Sequence, residues 1–170
     1  MSTMPNQNLL IYLLRRDLRI KDNPVFHSLK DNSTYTHLLP VYVFAAQQIE
    51  VSGFIKDSKK SPYPEARSAV GGFWRCGPHR ARFLAESVWD LKGNLNSIGS
   101  DLDIRVGMVG DVVKYLIEGF EKNHVKVGGV WMTGEEGVEE KMEESEVRNL
   151  CNKGGLKFEL FKDEKYFVDE

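Results

Sequence analysis

The chain has 170 residues, 41% of them hydrophobic and 28% charged, with a net charge of −2. That length fits one domain able to bury its own core. The near-neutral balance excludes a whole-chain electrostatic attraction to nucleic acid or membrane, so either role needs a local patch or a further part of the protein.

Leu9–Leu14 is a six-residue apolar run that reads as a buried strand. A strongly charged turn follows at once, with Arg15, Arg16, Asp17, Arg19, Lys21 and Asp22. Asp22-Asn23-Pro24 is a helix start, with proline near the first helical position, and Val25–Lys30 forms a short helix. His37–Phe44 is the second strand. Residues 45–63 form an irregular excursion with a small basic cluster, Lys56, Lys59 and Lys60. In HRARFLAESVWDLKGNL the residues Phe83, Leu84, Val88, Leu91 and Leu95 recur at helical spacing, and the helix ends near Gly99. Leu102–Val106 is a third strand, Val109–Lys122 an amphipathic helix and Val125–Met132 a fourth strand. GVEEKMEESEVRNLCNKGG is a charged helix with a glycine stop, and Leu156–Phe161 a fifth strand. Residues 1–7 are expected to be disordered and 8–170 to form the domain.

Strands separated by helices of this length predict an α/β fold: a doubly wound, Rossmann-like, five-stranded parallel sheet flanked by helices, in the order 3-2-1-4-5. Such sheets bind ligands at the carboxyl ends of their strands, where the winding direction reverses. There the loop Arg15-Arg16-Asp17 would face the loop Thr133-Gly134-Glu135-Glu136. Guanidinium donors on one wall and carboxylate acceptors on the other suit a planar heterocycle carrying donors and acidic groups. No G-x-G-x-x-G follows the first strand, and no G-x-x-x-x-G-K-[ST] occurs anywhere, which disfavours a glycine-cradled dinucleotide or triphosphate. The glycines of VGGV (Val127–Val130) lie inside a strand and carry little weight. His27, His37, His79 and His124 are scattered, with no nucleophile–base motif near them. Neither a catalytic residue nor a metal site is expected. Cys76 and Cys151 have no metal-ligand spacing and read as free thiols in a reducing compartment. The opening MSTMPNQ has no signal-peptide core, and no apolar run reaches the ~20 residues that cross a bilayer. A soluble intracellular monomer is expected, without assignment to nucleus, cytoplasm or organelle.

The run RRDLRIKDNP resembles the opening of photolyases and cryptochromes, an R-x-D-L-R-x-x-D-N pattern after the first strand. Arg15, Asp17, Leu18, Arg19, Asp22 and Asn23 match it, with Arg16 at the variable position. GPHRARFLAESVWDLKGNL resembles that family's G-x-x-R-x-x-F-L-x-E-S-x-x-D-L helix. EVSGF, SPYPEARS and the closing DEKYFVDE are similar to the cryptochrome-DASH branch, especially its fungal members. The resemblance covers nearly all of residues 8–170, which correspond to that family's amino-terminal antenna domain. The helical domain that binds FAD and damaged DNA in that family lies outside these residues.

The resemblance implies an antenna chromophore of the methenyltetrahydrofolate type, which passes excitation to the flavin. It also implies light-driven repair of cyclobutane pyrimidine dimers by the full-length protein, preferentially in single-stranded DNA, where an unpaired base is easier to extrude. FAD and DNA would be partners only through the helical domain, and this chain alone would be inactive in repair. Carried over by position, Glu135 is the carboxylate partner of the pterin N–H groups, with Glu136 the alternative one residue on. Arg15 and Arg16 would lie along the other side of the chromophore, and which of them faces it is open. Trp74, Trp89 and Trp131 do not match the family's electron-transfer chain.

Blander readings stand beside these. The run Glu135, Glu136, Glu139, Glu140, Glu143, Glu144 and Glu146 is most simply the solvated face of a helix, its first-turn carboxylates complementing the helix dipole. Arg19 and Asp22 organise the turn and cap the first helix. Arg80 and Glu86 belong either to an ion pair with the missing domain or to an ordinary surface, and Asp90 faces solvent. A chromophore-free interaction module and a generic nucleotide-binding α/β protein are the alternative functions.

Overall fold

The computed structural model describes residues 7–50, 61–68 and 70–162. Five strands and four helices alternate along them: β1 (Asn8–Leu14), α1 (Pro24–Lys30), β2 (His37–Ala45), α2 (Pro78–Ser97), β3 (Asp103–Gly107), α3 (Val109–Lys122), β4 (Lys126–Thr133), α4 (Val138–Gly154) and β5 (Lys157–Phe161). Sequence expectations fall outside the described residues at four places: the disorder expected of residues 1–7, of which only Gln7 is described, the stretch EVSGF beyond Glu50, the basic cluster of Lys56, Lys59 and Lys60, and the closing DEKYFVDE.

The strands form one parallel sheet in the order β3-β2-β1-β4-β5, as expected. β1 is central, which explains its unbroken apolar run: both of its faces are covered. Leu9, Ile11 and Leu13 pack with Val113, Ile117, Val147 and Cys151 beneath α3 and α4. Leu10, Tyr12 and Leu14 pack with Val25, Val88, Leu91 and Trp131 beneath α1 and α2. The chain adds β2 and β3 on one side of β1, then returns to add β4 and β5 on the other. The loops leaving β1 and β4 therefore diverge at the carboxyl edge of the sheet.

The glycines inside β4 prove more informative than their position suggested. The β1–β4 register shifts between Leu9 and Leu10, opposite this stretch. A Cβ on Gly129 would lie 2.7 Å from both the Lys157 carbonyl oxygen and the Tyr35 hydroxyl, so the strand passes its neighbours there only as bare backbone.

Helix α2 also departs from its periodicity. Val88, Leu91 and Leu95 are buried, but Phe83 is 70% exposed. Only the carboxyl half of α2 lies over the sheet. Its amino half extends past the carboxyl edge, where Phe83 lines a cavity instead of entering the core and Leu84 both lines that cavity and packs against the rim of the core.

Candidate functional site

The charged turn after β1 is held from within. Asp17 is buried and accepts hydrogen bonds from the Tyr12 hydroxyl and, at 3.2 Å, from the Arg15 N–H. The buried Asn23 amide donates to the Tyr12 hydroxyl at 2.8 Å and to the Arg19 carbonyl at 3.2 Å. Its Oδ1 accepts from the N–H groups of Val25 and Phe26 at 3.0 and 3.1 Å, so the cap of α1 is Asn23 and not Asp22. Asp22 contributes backbone shape, at φ 54°, and a carbonyl that accepts from Arg19 at 3.1 Å. Tyr12, Asp17 and Asn23 thus fix the direction in which Arg15 and Arg16 leave the sheet.

The two arginines leave it in different environments. Arg15 is 8% exposed and ion-paired with Glu143 at 2.8 Å and Glu144 at 3.0 Å, and it also donates to the Glu140 carbonyl at 3.2 Å. The Glu144 oxygen that meets Arg15 also accepts the Glu135 backbone N–H at 2.8 Å. Glu143 in turn accepts from Gln47 and Gln48, just beyond β2. One buried guanidinium therefore ties the exits of β1, β2 and β4 to the first turns of α4. Arg16 is 57% exposed, pairs with Glu140, and stands 3.4 Å from Glu135. Of the pair, Arg16 is the one with guanidinium surface open to a ligand.

The two carboxylates after β4 separate in the same way. Glu135 is 15% exposed and lines the cavity. Burial pushes its pKa above the ordinary carboxylate range, against the pull of Arg16 and Arg15; Glu140 and Asp17 push the same way as burial. Glu136 is 94% exposed and bonds Lys141 at 2.9 Å, which holds its pKa below the ordinary value. It is not among the residues that line the cavity. The cavity itself has a volume of about 430 Å³. Leu13, Leu14, Val43 and Val109 form apolar parts of its lining, Glu135, Arg16 and Glu140 a polar part, and Phe83, Leu84 and Ser87 the α2 side. Tyr42 also lines it, its phenol pKa pushed upward by burial.

The acidic run is not the solvated face that its composition suggests. Glu140, Glu143 and Glu144 are buried, and with Val147 and Cys151 they form one stripe along α4 at spacings of three and four residues. The inward face continues from apolar to acidic because Arg15 and Arg16 meet its amino half. Sequence reasoning missed these three glutamates together with Gln47 and Gln48; the shared helical phase with Val147 was the available signal for the glutamates. At the head of this helix, a Cβ on Gly137 would collide with Glu140 Oε2, so that carboxylate packs against bare backbone there. Arg80 lines the cavity from the first turn of α2, whereas Glu86 pairs with Arg82 at 2.7 Å. Both cysteines are free thiols. Among the described residues, no helix is long and apolar enough to cross a membrane, and no group of three His, Cys, Asp or Glu side chains is arranged to hold a metal.

A doubly wound domain with a donor–acceptor crevice at its switch point is the class these observations define. Residues 10–169 match the model of the DNA photolyase family, and the chain belongs to that family. It corresponds to the amino-terminal α/β domain as found in cryptochrome DASH proteins. It is 52% identical, over 98% of its length, to a Neurospora crassa protein named as a mitochondrial cryptochrome DASH, and 49% identical, again over 98%, to a cryptochrome DASH of Gibberella zeae. Identity to the cryptochrome DASH of Xenopus laevis is 32% over 90% of the chain. The chain spans about a quarter of these relatives: 23%, 24% and 25% of their lengths. Among solved structures, a Synechocystis cryptochrome superposes with a TM-score of 0.69 at 21% identity, covering 95% of this chain and 28% of that one. An archaeal photolyase from Sulfolobus tokodaii, described with two FAD molecules, gives 0.62 at 19% identity, covering 91% and 29%. At these identities the two structures speak for the fold alone.

Proposed function

We propose that this domain binds the antenna chromophore of a cryptochrome DASH photolyase, a pterin of the methenyltetrahydrofolate type, in the cavity between the β1 and β4 loops. The observation that carries the reading is the state of Glu135. It is a largely buried carboxylate whose nearest cation, Arg16, stands 3.4 Å away and is already paired with Glu140. Such a group has acceptor capacity left over and is stabilised by a ligand that presents two adjacent N–H donors. Arg16 lies beside it with an open guanidinium edge, Phe83 and Leu84 offer an apolar wall to a ring, and Arg15 holds the frame.

When bound, the antenna absorbs near-ultraviolet or blue light and passes its excitation to the flavin. The longer protein, by its family, uses FAD and light to repair cyclobutane pyrimidine dimers, preferentially in single-stranded DNA. FAD and DNA contacts belong to the remaining three quarters of such a protein. We place it inside the cell, as a monomer without a membrane role.

The test is to mix the purified chain with the reduced folate and record the near-ultraviolet band that co-elutes with it. Glu135→Gln should diminish the band; an undiminished band removes Glu135 from the site. A chromophore-free interaction module is the second reading, favoured by the exposed rings of Phe73, Trp74 and Phe83. A stable chain that binds neither folate nor flavin selects it.

A further inference from the structure

The cavity that contains Glu135 has a neighbour of about 290 Å³, and the two share Arg16, Tyr42, Gln48, Arg80, Leu84 and Glu140. They are two lobes of one cleft, with different chemistry. Glu135 lines only the first lobe, and Arg75 lines only the second. Around the second lobe stand three guanidiniums, Arg16, Arg75 and Arg80, and two carboxylates, Glu139 and Glu140. Both carboxylates are already engaged: Glu139 with Arg75 at 3.1 Å and Glu140 with Arg16. Arg80 is left over. It sits at the junction of the lobes, exposed, with no carboxylate in ion-pair reach among the described residues.

Resting on the chromophore reading above, we propose that the second lobe is an anion subsite and that Arg80 is its principal ligand. The cleft then reads an elongated molecule by polarity: a heterocycle with N–H donors lies against Glu135, and an anionic arm reaches past Tyr42 to Arg80, with Arg75 beside it. A guanidinium forks onto either a carboxylate or a phosphate. Two sources of such an arm therefore share the chemistry, the glutamyl carboxylates of a folate and the phosphate of a flavin nucleotide.

The experiment measures equilibrium binding to the 170-residue chain for two matched pairs. One pair is a reduced folate with its glutamyl tail and the reduced pterin lacking that tail; the other is FMN and riboflavin. For the pair that binds, the anionic member should bind about tenfold more tightly, as expected of one charge-assisted contact. Arg80→Gln should erase that difference without weakening the neutral member, Arg80→Lys should keep part of it, and 0.5 M salt should shrink it, as screening shortens the reach of a charge at the surface. Arg80 is exposed and has no ion pair among the described residues, so both variants keep the fold.

Equal affinity of tailed and tailless ligands overturns the subsite and leaves the chromophore reading standing. So does an Arg80→Gln variant that weakens both members alike. Binding of FMN over riboflavin with no binding of either pterin supports the subsite and overturns the folate. Binding of none of the four overturns both.

Discussion

Arg15 and Arg16 are neighbours in the same loop, yet they belong to different parts of the protein. Around Arg15 every charge is buried and satisfied: Glu143, Glu144 and the Glu140 carbonyl enclose one guanidinium. Around Arg16 the charges are loosely held: Glu135 stands 3.4 Å away, and more than half of the arginine side chain faces outward. Burial separates the two roles. A buried ion network has one low-energy arrangement and fixes a frame, whereas a half-exposed one can exchange partners with an incoming molecule.

Replacing Arg15 should break the comparison most severely. Arg15→Met leaves Glu143 and Glu144 buried without their cation, at a cost of about 3–5 kcal/mol, readable as a lower urea midpoint. Arg16→Gln should cost less than about 1 kcal/mol in the same measurement, because the Arg16 side chain is itself more than half exposed to water, while weakening pterin binding about three- to tenfold. Equal losses of stability in the two variants would erase the distinction drawn here.

Smaller effects sharpen it through pH. Glu135 has a raised pKa in the folded chain, and N–H donors favour its charged form. Pterin affinity should therefore hold above that raised value and fall as pH drops through it, with proton release on binding there. Stability runs the other way: a folded-state pKa above the unfolded one means the charged carboxyl costs stability at neutral pH, and that cost begins to lift as pH falls through the folded value and is gone below the unfolded one. Affinity measured across the carboxylate range, beside a weak and flat Glu135→Gln control, checks the sign. The smallest effect is expected at Glu136→Gln, within about 0.5 kcal/mol and without change in binding, because Glu136 faces solvent.

Where chain-local physics governs, the amino-acid sequence was a sufficient guide. The all-apolar β1, the amphipathic α3 and the alternation of elements carried the parallel α/β class, because each depends on periodicity and on which faces must be covered; the strand order came only as an assumption of the doubly wound class, and the structure has it. Positions governed by distant partners were harder to read. Phe83 has the phase of a core residue, but its half of α2 runs beyond the sheet. Glu140, Glu143 and Glu144 look solvated because glutamates usually are, and only the arginines more than 120 residues earlier make them inward-facing. Gly129 looked incidental because the atoms that crowd it belong to β5 and Tyr35. Of the candidate ligands, Glu135, Arg16 and Arg15 line the cavity, the first two with capacity to spare and Arg15 already committed to the frame, and Glu136 is not part of the lining.

The span of the Arg15 contacts bears on how the domain is made. Its two glutamate partners are 128 and 129 positions away in the chain, so these are among the highest-contact-order interactions in the molecule. During synthesis from the amino end, β1 and its turn must wait for nearly the whole domain before that guanidinium finds its counter-charges. Closing so long a loop is an entropic cost met only once β4 and α4 are in place. The cleft is complete only when α4 has packed, because Glu140 and Glu143 of its lining lie on that helix.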